Sequence, residues 1–353
     1  MKELKKIMDT LYKTYGKALP DVEDVGYVKR LQLSSPNLNY ILGGGFPVGR
    51  IVEFYGPESG GKTVLASYIA GEFQKRESKN VVLFIDMEHA FEKNYARSVG
   101  MNLGKDKLIF VRPLNGEQAF EIAEKLVATG EIGCIIWDSI AATSTSASMD
   151  AGYGKSNFGG TAKLFSEGLR KLNPYLSVHE TSLILLNQVR DDIGSFSPIP
   201  GFKAETLPGG RGHKFYASWI GRVSRGEDIV EKKEIIGNVI KIKNVKSKIG
   251  IPKRSTTLNL YYDRGFDIDS EYIDFFIFLE LVRVSGAWYS CDELNLKVQG
   301  KQNLLTWFLA HPDIFTAYKQ KVNSLLYTTL PMDLVNLENS YPEGEEEDLD
   351  VSI

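Results

Sequence analysis

Cysteine is nearly missing from this sequence: two in 353 residues, Cys134 and Cys291. Cys134 lies in an apolar run that reads as a buried strand, so a disulfide framework is not expected. A reducing, cytoplasmic setting is. Long hydrophobic stretches are missing too. No window approaches the ~20 unbroken apolar residues of a membrane span. The charged N-terminus, MKELKKIMDTLYKTYGK, lacks the apolar central run of a signal peptide. No membrane partner is expected, and no internal repeat is visible. Basic residues are missing after Lys321, where eight acids follow: Asp333, Glu338, Glu343, Glu345, Glu346, Glu347, Asp348 and Asp350. The segment 331–353 reads as a disordered acidic tail, and without its acids the net charge of −3 turns positive. A mildly basic body with an acidic tail suits a chain that binds a polyanion and tempers that binding itself. A merely solvated terminus fits the same composition. The rest is ordinary globular composition, 43% hydrophobic and 25% charged, enough for one large core with smaller appended units.

Residues 1–16 predict one amphipathic helix, with Leu4, Ile7, Met8, Leu11 and Tyr15 on one face. With a polar linker to residue 29 it forms a small module that packs on its own core or on a neighbouring copy. Residues 30–266 alternate short apolar runs with helical patterns. The runs are Arg50–Tyr55, Val81–Asp86, Leu108–Val111, Cys134–Ser139 and Thr181–Asn187. Such runs suit strands buried on both faces of a parallel sheet with crossover helices. After Ala217 come strands only, at Trp219–Ser224, Asn238–Lys243 and Thr257–Tyr262, expected to extend the sheet in antiparallel fashion. Residues 267–330 return to helix and turn and read as a small α+β C-terminal domain. The fold class expected is therefore α/β, a central, mostly parallel twisted sheet flanked by helices.

The sharpest motif is Gly56-Pro57-Glu58-Ser59-Gly60-Gly61-Lys62-Thr63, which fits G-x-x-x-x-G-K-[ST] between a strand and a helix. The glycines let successive N–H groups turn toward phosphate oxygens. Lys62 adds a cation for the β- and γ-phosphates, Thr63 a hydroxyl for Mg²⁺, and the helix N-terminus a positive dipole. ATP and Mg²⁺ are the expected ligands. Asp138 ends an apolar strand, where it would hold the metal or merely cap the next turn. Glu88, just past the strand ending at Asp86, would activate a water or cap a helix. The stretch from Lys241 to Arg254 carries six cations and no acid. It would blunt a sheet edge, or use Lys246 and Lys248, alternating on one face, to meet a triphosphate.

The chain resembles the RecA family of recombinases. The resemblance rests on Gly49-Arg50-Ile51-Val52-Glu53, Phe84-Ile85-Asp86-Met87-Glu88-His89-Ala90, Trp137-Asp138-Ser139-Ile140-Ala141-Ala142, Asn187-Gln188-Val189-Arg190, Lys214-Phe215-Tyr216-Ala217-Ser218, Lys246-Ser247-Lys248-Ile249 and Gly286-Ala287-Trp288-Tyr289-Ser290. It implies a DNA-dependent ATPase and homologous recombinase that forms ATP-bound, head-to-tail helical filaments on single-stranded DNA. Such a filament pairs that strand with homologous double-stranded DNA, in company with single-strand-binding and loading proteins. It implies that Glu88 is the catalytic carboxylate, that Glu92 and Tyr95 contact adenine, and that Gln188 senses the γ-phosphate. Lys246 and Lys248 would reach a neighbouring subunit's ATP, with Lys214 and Phe215 in the interface. Two loops, about 146–157 and 189–210, would hold DNA with Lys163, Ser166, Arg170, Arg190, Gly209, Gly210 and Arg211. On composition alone the same loops could be plain surface.

The sequence also departs from the family pattern. Asp191-Asp192 stands where the family usually has Met-Lys, Lys163 where it has Arg, and Arg211 where Asn is common. A lysine keeps the charge but loses the bidentate fork to phosphate. These changes point to altered DNA affinity or salt dependence. Two rival functions share the core: a ring-forming, helicase-like motor, and a nucleotide-gated recombination mediator. The N-terminal helix and the Gly286–Tyr289 domain fit the first less well. The intact Lys62, Thr63, Glu88 and Asp138 fit the second less well.

Overall fold

The computed structural model of the protein describes residues 2–15, 28–151, 159–191 and 205–328. The linker, the far part of each expected DNA loop and the acidic tail lie outside the described residues. The chain divides into two units, with the division inside one helix, after Asp274.

The first unit opens with α1 (Lys2–Tyr15), β1 (Arg30–Leu31), α2 (Pro36–Ile41) and β2 (Phe46–Pro47). The expected apolar face of α1 is open: Leu4 is 61% exposed and Ile7 54%. There follow β3 (Ile51–Gly56), α3 (Lys62–Gln74), β4 (Val81–Asp86), α4 (Lys93–Ser98), β5 (Leu108–Val111), α5 (Gly116–Val127), β6 (Ile132–Asp138), α6 (Ser146–Asp150), α7 (Gly160–His179) and β7 (Ser182–Gln188). The chain continues through β8 (Arg190–Asp191), β9 (Glu205–Thr206), α8 (Gly212–Tyr216), β10 (Trp219–Glu231), β11 (Glu234–Ser247), β12 (Ser255–Tyr261) and β13 (Gly265–Phe266) into α9 (Ile268–Phe278), within which the first unit ends.

Nine strands form one sheet in the order β13-β12-β11-β10-β3-β7-β6-β4-β5. Four of the five apolar runs become its buried parallel strands, while Leu108–Val111, expected to be buried on both faces, is the partly exposed edge strand β5 because no further strand covers its outer side. One core cluster gathers Phe54, Phe73, Phe84 and Trp219; the other, across the sheet, gathers Trp137, Phe165, Leu169 and Ile51. The antiparallel extension begins one strand later than expected. β10 runs parallel to β3, Trp219 opposite Val52 through Arg222 opposite Tyr55, and the antiparallel pairings are β10–β11, β11–β12 and β12–β13. The reason lies in the connection: α8 returns the chain to the same end of the sheet, so β10 enters in the direction of β3. β10 and β11 are also about twice the expected length. Their outer halves are polar, with Arg225, Glu227 and Asp228 beside Gly226 and bulges in the register, so no apolar run marks them. Lys232 and Lys233 close this hairpin with both φ angles positive, the backbone of a tight two-residue turn.

The second unit, 275–328, holds a three-stranded antiparallel sheet, β14 (Arg283–Ser285), β15 (Trp288–Cys291) and β16 (Leu296–Gln299), with α10 (Lys301–Ala310) and α11 (Pro312–Thr328). Gly286-Ala287 is the turn of its first hairpin. Phe276, Phe308, Phe315 and Tyr318 pack ring against ring, centroids 4.9–5.9 Å apart. Both cysteines are free and buried. No helix among the described residues is long and apolar enough to cross a membrane.

Candidate functional site

β3 delivers the chain to the glycine-rich turn at the C-terminal end of the parallel strands, where open α/β sheets bind ligands. Gly56 must be glycine, since a Cβ there would lie 1.9 Å from the Val223 carbonyl oxygen. Gly61 has φ 90°, and its Cβ would meet Ile240 at 2.6 Å. No side chain caps α3, so its first N–H groups stay open to an anion. Lys62 is buried, and its ammonium donates to the carbonyls of Gly56 at 3.0 Å and Pro57 at 2.6 Å. Burial lowers its pKa, against the pull of Asp138, Glu88 and Glu58.

The strand ends bring three carboxylates to this loop. Thr63 Oγ1 donates to Asp138 Oδ2 at 2.7 Å. Burial pushes the Asp138 carboxyl up to about 6, aided by Glu88 and Asp86 and opposed by the Thr63 hydrogen bond and Lys62. A hydroxyl and a carboxylate oxygen held 2.7 Å apart are hard oxygen donors of the kind that Mg²⁺ favours. The residues therefore fit Mg²⁺, as the open α3 terminus and the Lys62 ammonium fit a triphosphate. Among the described residues no group of three His, Cys, Asp or Glu is placed to hold a metal, so the fit is to a hydroxyl–carboxylate pair. The N–H groups of Met87 and Glu88 donate to the Asp138 carbonyl at 2.6 and 3.1 Å, which fixes the turn after β4. Glu88 is thereby exposed at the cleft, and Gln188 Nε2 donates to its Oε1 at 2.8 Å. Gln188 ends β7, and the next N–H, of Val189, donates to the Gly56 carbonyl at 3.3 Å.

The sequence profile of the RecA N-terminal domain matches residues 2–267. The chain is 39% identical to Protein RecA of Ruminococcus albus over 331 residues, 91% of this chain and 81% of that protein. It is 37% identical to Protein RecA of Macrococcus caseolyticus, covering 92% of each, and 36% identical to Protein RecA of Mycoplasma mycoides, covering 92% of this chain and 93% of that protein. The chain belongs to the RecA family. It shares the family's role in homologous recombination and DNA repair. RecA-family proteins are DNA-dependent ATPases that bind ATP and DNA and form oligomers.

The residues expected at the DNA face gather on and beside α7. Lys163, Ser166 and Arg170 are exposed along one side of that helix, and Arg211 is exposed next to it. Gly210 comes so close that a Cβ would lie 2.6 Å from the Ala162 methyl, and one on Gly212 would lie 2.9 Å from Ser166. Gly209 and Gly210 both have positive φ. The second loop starts and ends in a ladder of β8 and β9, with Arg190 opposite Thr206 and Asp191 opposite Glu205. The first loop starts as a helix, α6, closed by a capping box between Thr145 and Ser148. The two residues expected at adenine are also close in space: Glu92 caps α4 by accepting from the Tyr95 N–H at 2.8 Å, and Tyr95 is 43% exposed. The N–H groups of Tyr95 and Asn94 hold the Glu92 carboxyl below its usual range.

Lys246 and Lys248 reach one short helix from a shared face. Lys246 donates to the Lys214 carbonyl, and Lys248 to the Phe215 carbonyl at 2.5 Å. The Lys248 ammonium also lies 5.1 Å from the centre of the Phe215 ring, which is 70% exposed. Three residues of this region were given no role by the sequence. Arg112, at the end of β5, pairs with Asp86 at 3.0 Å beside the carboxylate cluster. Glu53 and His213, both fully buried, form a pair at 2.7 Å. The one available clue was Glu53 itself, a charge inside the apolar run RIVEFY.

Proposed function

We propose that this RecA-family protein hydrolyses ATP in response to DNA, assembles head-to-tail with copies of itself on single-stranded DNA, and exchanges strands with a homologous duplex. The observation that carries the reading is the Gln188–Glu88 hydrogen bond of 2.8 Å beside the Thr63–Asp138 pair. The open N–H groups of α3 and the Lys62 ammonium bind the phosphates. Bound Mg²⁺, held through Thr63 and Asp138, supplies charge neutralisation at the phosphates. Glu88 orients the attacking water and takes its proton. The Gln188 amide has two partners to choose from, the Glu88 carboxylate or a γ-phosphate oxygen. Its choice is passed to β8 and the second loop, because Gln188 and Arg190 are separated by one residue.

Lys163, Ser166, Arg170 and Arg190, with the backbone of Gly209, Gly210 and Arg211, bind DNA phosphates. Lys246 and Lys248 meet the triphosphate of an adjoining copy, with Lys214 and Phe215 in the contact. The open face of α1 supports docking on that copy. Glu92 and Tyr95 hold the adenine. The test is strand exchange between a circular single strand and its homologous linear duplex, with and without ATP, alongside hydrolysis with and without single-stranded DNA. ATP-dependent exchange with DNA-stimulated hydrolysis is expected. Hydrolysis indifferent to DNA would overturn the reading.

A further inference from the structure

Helix α8 lies between the exit of the second loop and the lysines of β11, and its buried anchor is His213. The ring Nδ1 is 2.7 Å from Glu53 Oε2, and both side chains are 0% exposed. Glu53 lies in β3, three residues before Gly56. Its other oxygen accepts from Asn187 Nδ2 at 3.2 Å, and the same amide donates to the Pro208 carbonyl at 3.1 Å. Asn187 Oδ1 in turn accepts from the Gln188 N–H at 3.0 Å. The imidazole also floors the loop exit, since a Cβ on Gly209 would lie 3.0 Å from His213 Cδ2. The Glu53 carboxylate thus bonds Asn187 and α8 directly, and the Asn187 amide extends the cluster to Gln188 at the end of β7 and to the loop exit at Pro208.

Burying a carboxylate and an imidazole together is costly, and apolar residues of similar size hold a core at least as well. A polar cluster with directional bonds does what an apolar one cannot: it fixes one register among several. Here the register fixed is that of α8, whose Lys214 and Phe215 carbonyls receive Lys246 and Lys248. Burial and the Lys248 and Lys214 charges lower the Lys246 pKa, and the Glu53 charge opposes them. His213 Nε2 has no partner among the described residues, so all of the ring's polar contact is directed at Glu53.

We infer that Glu53 and His213 are positioning residues that couple the nucleotide site to the DNA face, by holding α8 and the exit of the second loop to the strand that leads into the phosphate loop. This rests on the function proposed above. The pair touches neither phosphate nor DNA, and acts through Asn187, Gln188 and α8.

The experiment uses the full-length protein, with steady-state hydrolysis measured over a range of ATP concentrations, with and without oligo(dT). Glu53→Gln and His213→Leu are compared with the unmodified chain, and circular dichroism melting checks that each is folded. In the variants, ATP affinity and the DNA-free rate should stay within about twofold, while the stimulation by oligo(dT) falls roughly tenfold or more. Glu53→Gln keeps the shape and an acceptor, and decides the matter should His213→Leu fail to fold. Stimulation retained in a folded Glu53→Gln protein, or a loss of ATP affinity equal to the loss of stimulation, overturns the inference. An unmodified protein that DNA does not stimulate sinks the proposed function and this inference with it. A stimulated parent with stimulated variants sinks the inference alone.

Discussion

Lys62, which opens α3 just after β3, and Lys248, just past the end of β11, make the same kind of contact beside two different halves of one sheet. Each rests its ammonium on main-chain carbonyl oxygens. In the parallel half, Lys62 is buried and its partners, Gly56 and Pro57, are six and five residues away. In the antiparallel half, Lys248 is exposed and its partner, Phe215, is 33 residues away. The first contact belongs to a loop that closes on itself. The second ties two segments that were free to lie elsewhere. A local, closed loop is suited to holding a ligand, and a long-range tie to reporting whether a neighbour has engaged it.

The largest effect that would separate the halves is expected from Lys62→Ala. It should lower hydrolysis by roughly 10²–10³-fold, through loss of the cation at the transferring phosphate, and weaken ATP binding even in dilute protein. Stopped-flow binding of a fluorescent ATP analogue reads the second quantity. Glu88→Gln should cost roughly 10²–10⁴-fold in turnover through loss of the general base. It should leave ATP-dependent DNA binding in a filter assay intact, so that one half can be disabled chemically without disabling assembly. Lys248→Met should leave ATP binding in dilute protein within about twofold. Its hydrolysis should fall about tenfold at low protein concentration and recover as concentration rises. If it instead matched Lys62→Ala in dilute binding, the distinction between the halves would be wrong.

How far the sequence could be read follows the same division. The phosphate loop was legible because glycine spacing, lysine and hydroxyl all fall within eight residues, and Asp138 because it ends an unbroken apolar strand. The extent of β10 and β11 was not, because beyond Ser224 the strands carry Arg225, Glu227 and Asp228, which on composition read as loop. The parallel entry of β10 depends on where α8 leaves the chain, a matter of three dimensions. The Glu53–His213 pair joins positions 160 residues apart, and neither histidine nor glutamate announces a partner at that distance.

The smallest effect on activity concerns a second buried carboxyl, with no place in the site. Glu271 accepts from the Ser35 hydroxyl at 2.5 Å and from the Asn37 N–H at 3.3 Å. Burial first, then Asp267 and Asp274, raises its pKa from 4.5 to about 8 against those hydrogen bonds. A folded-state pKa above the unfolded value means that its contribution to stability is whole below about pH 4.5 and is lost as pH rises through 8. Glu271→Gln should remove that loss, so the variant should melt higher than its parent at pH 8–9, by an amount on the order of a few kcal/mol. DNA-stimulated hydrolysis at pH 7 should be unchanged. Asp138→Asn offers the contrast: it too relieves a buried carboxyl, and it should abolish hydrolysis.

Gly56 and Gly60 both abut the Val223 carbonyl, and Gly61 abuts Ile240, so the cradle leans on β10 and β11 with no slack. β11 is the strand whose far end carries Lys246. A push on that end by an adjoining copy would arrive at the cradle along a stiff ribbon, as force through a beam, with no loop in between to absorb it. The protein would then sense its neighbour mechanically, and a bulkier residue at 56 would jam that transmission while also prying the two strands apart.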